Sequence, residues 1–196
     1  MRDYLKTSLL TAVAFTLLQS SSALAEAQPI RLIPSSPKVT YDAVGRPSML
    51  KIHGEGKDLT LQLTRDGATI AGKMSFNPAT LDSGISLRDR HAREKYLEVE
   101  KYPEASFEMA PITLPTEFLD ETQKETSLPI KGKLTLHGVT REVEAKTQVK
   151  REGTEVEVQS TFEIKLPEYQ VAIPSFAGIK VAEDVTLTVN FKVEWK

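Results

Sequence analysis

The sequence predicts an all-β fold, an antiparallel β-barrel of about eight strands accompanied by one short helix. Three observations carry this. Apolar and polar residues alternate through most of the chain from Val39 onward. Turn signals separate the alternating runs at Asp66-Gly67, His137-Gly138 and Glu152-Gly153. The closing run Asp184–Lys196 alternates without a break. Side chains of a strand point to opposite faces in turn, so each such run has one dry and one wet face. Dry faces must pair or curl into closure, and closure also removes exposed edges. A two-sheet sandwich is the competing architecture.

The chain opens on an export signal. Arg2 and Lys6 give a basic start, Leu9–Leu18 an apolar stretch, and Ala23 and Ala25 the A-x-A arrangement that precedes cleavage. At about 10 residues the apolar core is half the roughly 20 that a bilayer span needs. Residues 1–25 are therefore expected to be removed, leaving residues 26–196 as one domain in the periplasm or outside the cell, long enough to bury a core without staples. Removal takes two cations and one anion, so the net charge moves from -2 to -3. A mildly acidic chain with no basic run suits neither nucleic acid nor an anionic membrane surface. The absence of cysteine excludes disulfides, thiolate zinc sites and a thiol nucleophile.

Segments around Lys38–Tyr41 and Met49–His53 read as the first strands. Leu59, Leu61 and Leu63 then alternate with polar residues up to Asp66-Gly67, and Ile70, Gly72, Met74 and Phe76 run back. A two-residue turn at Asp66-Gly67 pairs Leu63 with Ile70 and Leu59 with Met74. Ser86-Leu87-Arg88-Asp89 has the form of a capping box, predicting a helix of about ten residues over Leu87–Leu97 that Pro103 forbids to continue. A strand near Ala105–Ile112 follows, then one over Leu128–Leu136 that ends at His137-Gly138. Val143–Val149 and Val156–Leu166 form a hairpin, and a turn at Glu152-Gly153 pairs Val149 with Val156. The Pro167–Ala177 stretch reads as a loop before the last strand.

Little in the chain points to catalysis. His53, His91 and His137 show neither H-x-H nor H-E-x-x-H spacing, and each reads as a turn or helix histidine with local hydrogen bonds. No G-x-S-x-G elbow, phosphate-cradling glycine loop or distinguished carboxylate pair stands out. No metal and no cofactor is expected. Arg88 and His91, in the densest polar group, and Arg141, opposite Leu134, are candidates for contact with a polar head at a barrel mouth. Helix capping and an Arg–Asp pair explain the first group better, since Asp89 suits the first turn, and a bulge or exposed rim is the better account of Arg141.

The interior is more informative. Met74, Phe76, Phe107, Met109, Leu134, Leu136, Phe162, Ile164, Val189 and Phe191 face inward on this reading. Most of these must be core in any β-fold. In a barrel of about eight strands, however, the interior either fills or holds one small ligand. Gly72, Gly132, Ala145 and Ser160 are small inward residues that would leave room, and flexible methionines suit an elongated guest.

Two motifs sharpen this. The run Ser86-Leu87-Arg88-Asp89-Arg90-His91, continuing through Tyr96-Leu97-Glu98-Val99-Glu100-Lys101-Tyr102-Pro103 to Phe107, resembles the hallmark stretch of the YceI-like family. Gly132-Lys133-Leu134-Thr135-Leu136-His137-Gly138-Val139-Thr140 is similar to its second motif. The likeness covers about residues 36–195. It implies an extended, lipocalin-like barrel with a helix near one end, and a long apolar lipid (polyisoprenoid, quinone-like or fatty) held inside without catalysis. Each exposed methylene of such a lipid costs roughly 0.8 kcal/mol in water, so carriage across an aqueous compartment requires enclosure. Where many relatives carry an arginine, an acid and an aromatic-glycine pair before the last strand, this chain has Ile164-Lys165-Leu166-Pro167-Glu168-Tyr169-Gln170-Val171. A filled barrel acting as a stress-related or interaction module, and a secreted enzyme, are the alternatives. A homodimer is compatible with the pattern but not specified by it.

Overall fold

All the alternating runs become strands. The computed structural model describes residues 27–34, 37–46, 50–176 and 178–195. The expected export signal and its cleavage point lie outside the described residues. Within them, twelve strands join one antiparallel sheet. Three are two-residue pieces: β1 (Gln28–Pro29), β2 (Arg31–Leu32) and β11 (Ser175–Phe176). The nine long ones are β3 (Lys38–Arg46), β4 (Leu50–Gly56), β5 (Leu59–Asp66), β6 (Thr69–Phe76), β7 (Ala105–Thr113), β8 (Glu125–Leu136), β9 (Val139–Glu152), β10 (Glu155–Lys165) and β12 (Ile179–Glu194). Helix α1 (Ser86–His91) runs on into a π-turn over Ala92–Tyr96, and α2 spans Thr116–Leu119.

The sheet runs β5-β6-β7-β8-β9-β10-β12-β3-β4 and curls on itself. Its seam is bridged at one end by the N-terminal segment. β1 pairs with β5 through Gln28 and Pro29, while β2 pairs with β12 through Leu32 and Arg31. Beyond the other end of the seam, Glu55 of β4 bridges Asp82 in the segment leading to α1, and their backbones exchange two 2.8 Å hydrogen bonds. The sequence reading did not place strands before Lys38. Two-residue strands, one holding Pro29, offer no alternation to detect.

Two hairpin registers differ from expectation by two residues. Leu63 faces Gly72, Leu61 faces Met74 and Leu59 faces Phe76. Val149 faces Val158. The turns are centred on Gly67-Ala68 and Gly153-Thr154, with the glycine first, at φ 57° and 63°. A turn that needs positive φ only at its first central position places glycine there. Asp66 and Glu152 thereby keep extended backbone and end their strands. In both hairpins the arginine two residues before the glycine donates from Nε to the glycine carbonyl: Arg65 at 2.8 Å and Arg151 at 3.2 Å. An even shift leaves every side chain on its face, so the dry set survives intact. The third turn does centre on His137-Gly138, both left-handed at φ 51° and 73°, and pairs Leu134 with Arg141 as expected.

The helix start also differs. Ser86 is not a cap; Ile85 stands at the N-cap position and no side chain caps the helix. The Asp89 carboxylate instead reaches out of the helix, accepting from the Ser83 amide at 3.0 Å and from the Ser83 hydroxyl. His53 lies within β4 rather than in a turn, exposed, with Nδ1 2.8 Å from Asp42 on β3.

The interior divides along the barrel axis. Toward the end bridged by β1 and β2, Leu59, Leu114, Phe118, Val149, Val156, Phe191, Val193 and Trp195 pack together. Phe118, on α2, is fully buried and meets Trp195 edge-on at 6.2 Å. The Arg65 guanidinium covers the outer side of Trp195 at 4.3 Å. This end is stoppered. The other half of the barrel, under α1, is hollow.

Candidate functional site

The hollow has a volume of about 250 Å³ and is walled almost wholly by apolar groups. The wall comes from all nine long strands, β3 to β10 and β12, with the cover supplied by Arg88, Ala92, Tyr96 and Leu97 of the helical segment and by Leu166, Val171 and Pro174 before β11.

Eight of the ten inward residues singled out from sequence line it: Met74, Phe76, Phe107, Leu134, Leu136, Phe162, Ile164 and Val189. Met109 and Phe191 do not. Both are buried core residues, farther along their strands toward the stoppered end. Of the three head-group candidates only Arg88 reaches the cavity. His91 stays on α1 outside the lining. Arg141 is exposed, its Nη1 3.5 Å from its neighbour's carbonyl. Sequence reading missed Tyr41, Ala92, Tyr96 and Leu97 as lining residues. The tilt of a strand or the rotation of a short helix over the mouth leaves no trace in a two-residue period.

The small inward residues fall into two groups. Ala145 and Ser160 line the cavity. Gly132 does not, because the Phe107 ring occupies the place of its missing side chain: a Cβ there would stand 2.4 Å from Phe107 Cζ. Gly72, at φ 143°, sits at a bulge between β6 and β7 where a Cβ would meet the Gln62 carbonyl at 2.1 Å. The same exchange of glycine for aromatic ring recurs at Gly54 under Tyr41 and Gly56 under Phe76. These flat stacks, a known way to support sheet glycines, set the rings that shape the wall. Ser160 Oγ is 2.9 Å from the fully buried Thr147 hydroxyl, so that polar pair is satisfied internally.

The model of the YceI-like domain matches residues 40–193, the stretch that builds this apolar hollow and its helical cover. The chain belongs to the YceI-like family. It is 34% identical over 148 residues to a UPF0312 protein of Photorhabdus laumondii subsp. laumondii, covering 74% of this chain and 71% of that one. With a UPF0312 protein of Pseudomonas putida (strain W619) it shares 37% over 106 residues, 52% of this chain and 51% of the other. That match spans about half the length of the Pseudomonas relative. Among solved structures, a polyisoprenoid binding domain from Saccharophagus degradans aligns with TM-score 0.65 at 15% identity, over 86% of this chain and 98% of that one. BcnA of Burkholderia cenocepacia aligns with TM-score 0.64 at 20% identity, over 80% and 95%. At these identities the structural neighbours speak for the fold alone.

In this YceI-like barrel the two motifs meet at one corner. His137, in the turn of the second motif, is buried, with Nε2 2.7 Å from Glu98 and Nδ1 donating to the Tyr169 carbonyl at 3.1 Å. Tyr102 stacks edge-on against it at 4.4 Å. Glu98 and Tyr102 belong to the first motif, so its second half anchors the segment after α1 to the barrel. Among the described residues no group of three His, Asp or Glu side chains could hold a metal. No helix among them is long and apolar enough to cross a membrane.

Tyr169, in the short 3-10 turn after β10, is almost fully buried, and its hydroxyl has no hydrogen-bond partner. Burial, then Glu168, push its phenol up to about 12 from an ordinary 10.0, against the opposing pull of Arg141. A pKa raised in the folded state means stability that is complete below about pH 10 and is lost as pH rises through 12. Tyr169→Phe should therefore leave stability at pH 7 unchanged or higher by about 1 kcal/mol, since an unsatisfied hydroxyl is removed. It should also flatten the alkaline loss between pH 10 and 12. Denaturant titrations at both ends of that window check this; a loss above about 1 kcal/mol at pH 7 contradicts it.

Proposed function

We propose that this chain is a non-catalytic carrier or store for a long apolar lipid, a polyisoprenoid, quinone-like or fatty molecule, enclosed in the barrel and working in the periplasm or outside the cell. The observation that carries this reading is the apolar cavity of about 250 Å³ inside the barrel, with Arg88 as its single charged lining residue. A dry, apolar void has no use for water and gains from an apolar guest. Membership of the YceI-like family supports it, as does the likeness to a polyisoprenoid binding domain. The export signal read from residues 1–25 supports the compartment.

Native mass spectrometry of protein purified without detergent tests the proposal. A lipid adduct that organic extraction releases is expected. A bare mass together with no uptake of added prenyl lipids would sink it. Leu134→Ala refines the test, because Leu134 is buried and lines the cavity. In a filled core such a truncation costs about 2–5 kcal/mol. Here one side of the residue already faces a void, so the loss should stay near ~1–2 kcal/mol, while lipid retention falls several-fold. Equal, large losses of both would mark Leu134 as ordinary core.

A further inference from the structure

The way Arg88 is held restricts the polar head of the guest, an inference that rests on the carrier reading above. Arg88 Nε donates to Ser83 Oγ at 2.7 Å, and one Nη2 hydrogen goes to the Ser83 carbonyl at 2.8 Å. A guanidinium has five N–H groups, so three remain without a partner among the described residues. Arginine carries no acceptor. Whatever completes this site must offer an acceptor oxygen.

The charge balance decides what kind of oxygen. Four ionic side chains are tied to the turn Leu81-Asp82-Ser83. Arg88 and Asp89 both bind Ser83, Arg93 Nη1 donates to the Leu81 carbonyl at 3.2 Å, and Asp82 accepts from the Gly84 amide at 2.7 Å. Two cations and two anions cancel. Asp89 is buried beside Arg88, so its compensation is little screened by water. The Tyr41 hydroxyl closes the group from β3; burial first, with Asp82 and Asp89, holds its phenol above the ordinary value against Ser83 and Arg88. Recognition of a phosphorylated head calls for clustered cations in excess of local acids. This corner has no excess.

We infer that the Arg88–Tyr41–Ser83 corner binds an uncharged, oxygen-bearing head, a hydroxyl, carbonyl or ester, and rejects a diphosphate on the same tail. The guest then lies with its head under α1 and its tail toward Ala145 and Ser160.

Calorimetric titration of the intact, delipidated chain with two C20 probes, geranylgeraniol and geranylgeranyl diphosphate, tests this. The alcohol should bind at least tenfold more tightly than the diphosphate. Arg88→Met, which keeps the apolar stem, should abolish the preference for the alcohol over the corresponding hydrocarbon. Equal or tighter binding of the diphosphate overturns the head-group inference and leaves the carrier reading standing. Uptake of neither probe overturns the carrier reading itself. Should Arg88→Met fail to fold, the comparison of the two probes on the unaltered chain still decides.

Discussion

Phe118→Ala should lower the unfolding free energy by about 3–5 kcal/mol, the range for deleting a large side chain from a packed interior. Among the described residues Phe118 is the largest apolar group with no exposure at all, and it belongs to one cluster with Leu114, Val149, Val156 and Trp195. Its helix α2 is four residues long, far below the length at which a helix holds itself together in water. Pro115 and the turn at Asp120-Glu121 fix its ends, and the phenyl ring fixes its position. Deleting the ring removes both the edge-on contact with Trp195 and the reason for α2 to stay docked. For a chain of this size the expected drop in Tm is roughly 6–20 °C. Phe118→Leu, which refills most of the space, should recover more than half of it. Calorimetry on the three proteins gives the answer; a loss below about 1 kcal/mol for the alanine variant would mean that the stopper is not anchored there.

That a short helix seals the barrel was not readable from residues. Thr116-Glu117-Phe118-Leu119 is one turn, and one turn has no period. Strands of eight residues or more gave a different result, because a dry face repeated four times leaves few interpretations, and β5, β6, β9, β10 and β12 all appear where alternation placed them. The turns between them were legible in type but not in centring. Asp66-Gly67 and Glu152-Gly153 resemble pairs in which both residues take positive φ, yet only the glycines do so. The deciding partners are Arg65 and Arg151, whose side chains cover the glycine carbonyls, a contact that turn propensities omit. At the cavity, identity of lining residues followed from inward alternation, whereas depth did not. Met109 and Phe191 carry the same pattern as Phe107 and Val189 and differ only in distance from the stopper. Arg88 was legible as a polar residue of interest. Its anchor at Ser83, five residues earlier in the chain, depends on the turn that the Glu55–Asp82 bridge creates.

The small inward residues offer the most discriminating pair of substitutions, because sequence treats them alike and structure does not. Ala145 and Gly132 lie on adjacent strands, facing Ile130 and Val143 respectively. Ala145 is buried yet borders the void. In a filled interior, enlarging such a residue costs about 1–3 kcal/mol. In Ala145→Leu the added carbons should enter existing space, so stability should hold or rise while lipid retention falls tenfold or more. Gly132→Val meets the opposite situation. Its first added carbon would stand 2.4 Å from Phe107 Cζ and 2.5 Å from the Glu108 carbonyl, one a ring that lines the cavity and the other backbone. The ring can swing toward the void, but the carbonyl cannot move without opening β7 from β8, so the cost should be about 3 kcal/mol, and loss of lipid should follow loss of fold. Paired chemical denaturation and lipid extraction separate the cases. If Ala145→Leu unfolds the barrel as Gly132→Val does, the space beside it is not available to a guest. If Ala145→Leu is stable and still carries a full complement of lipid, the guest lies elsewhere.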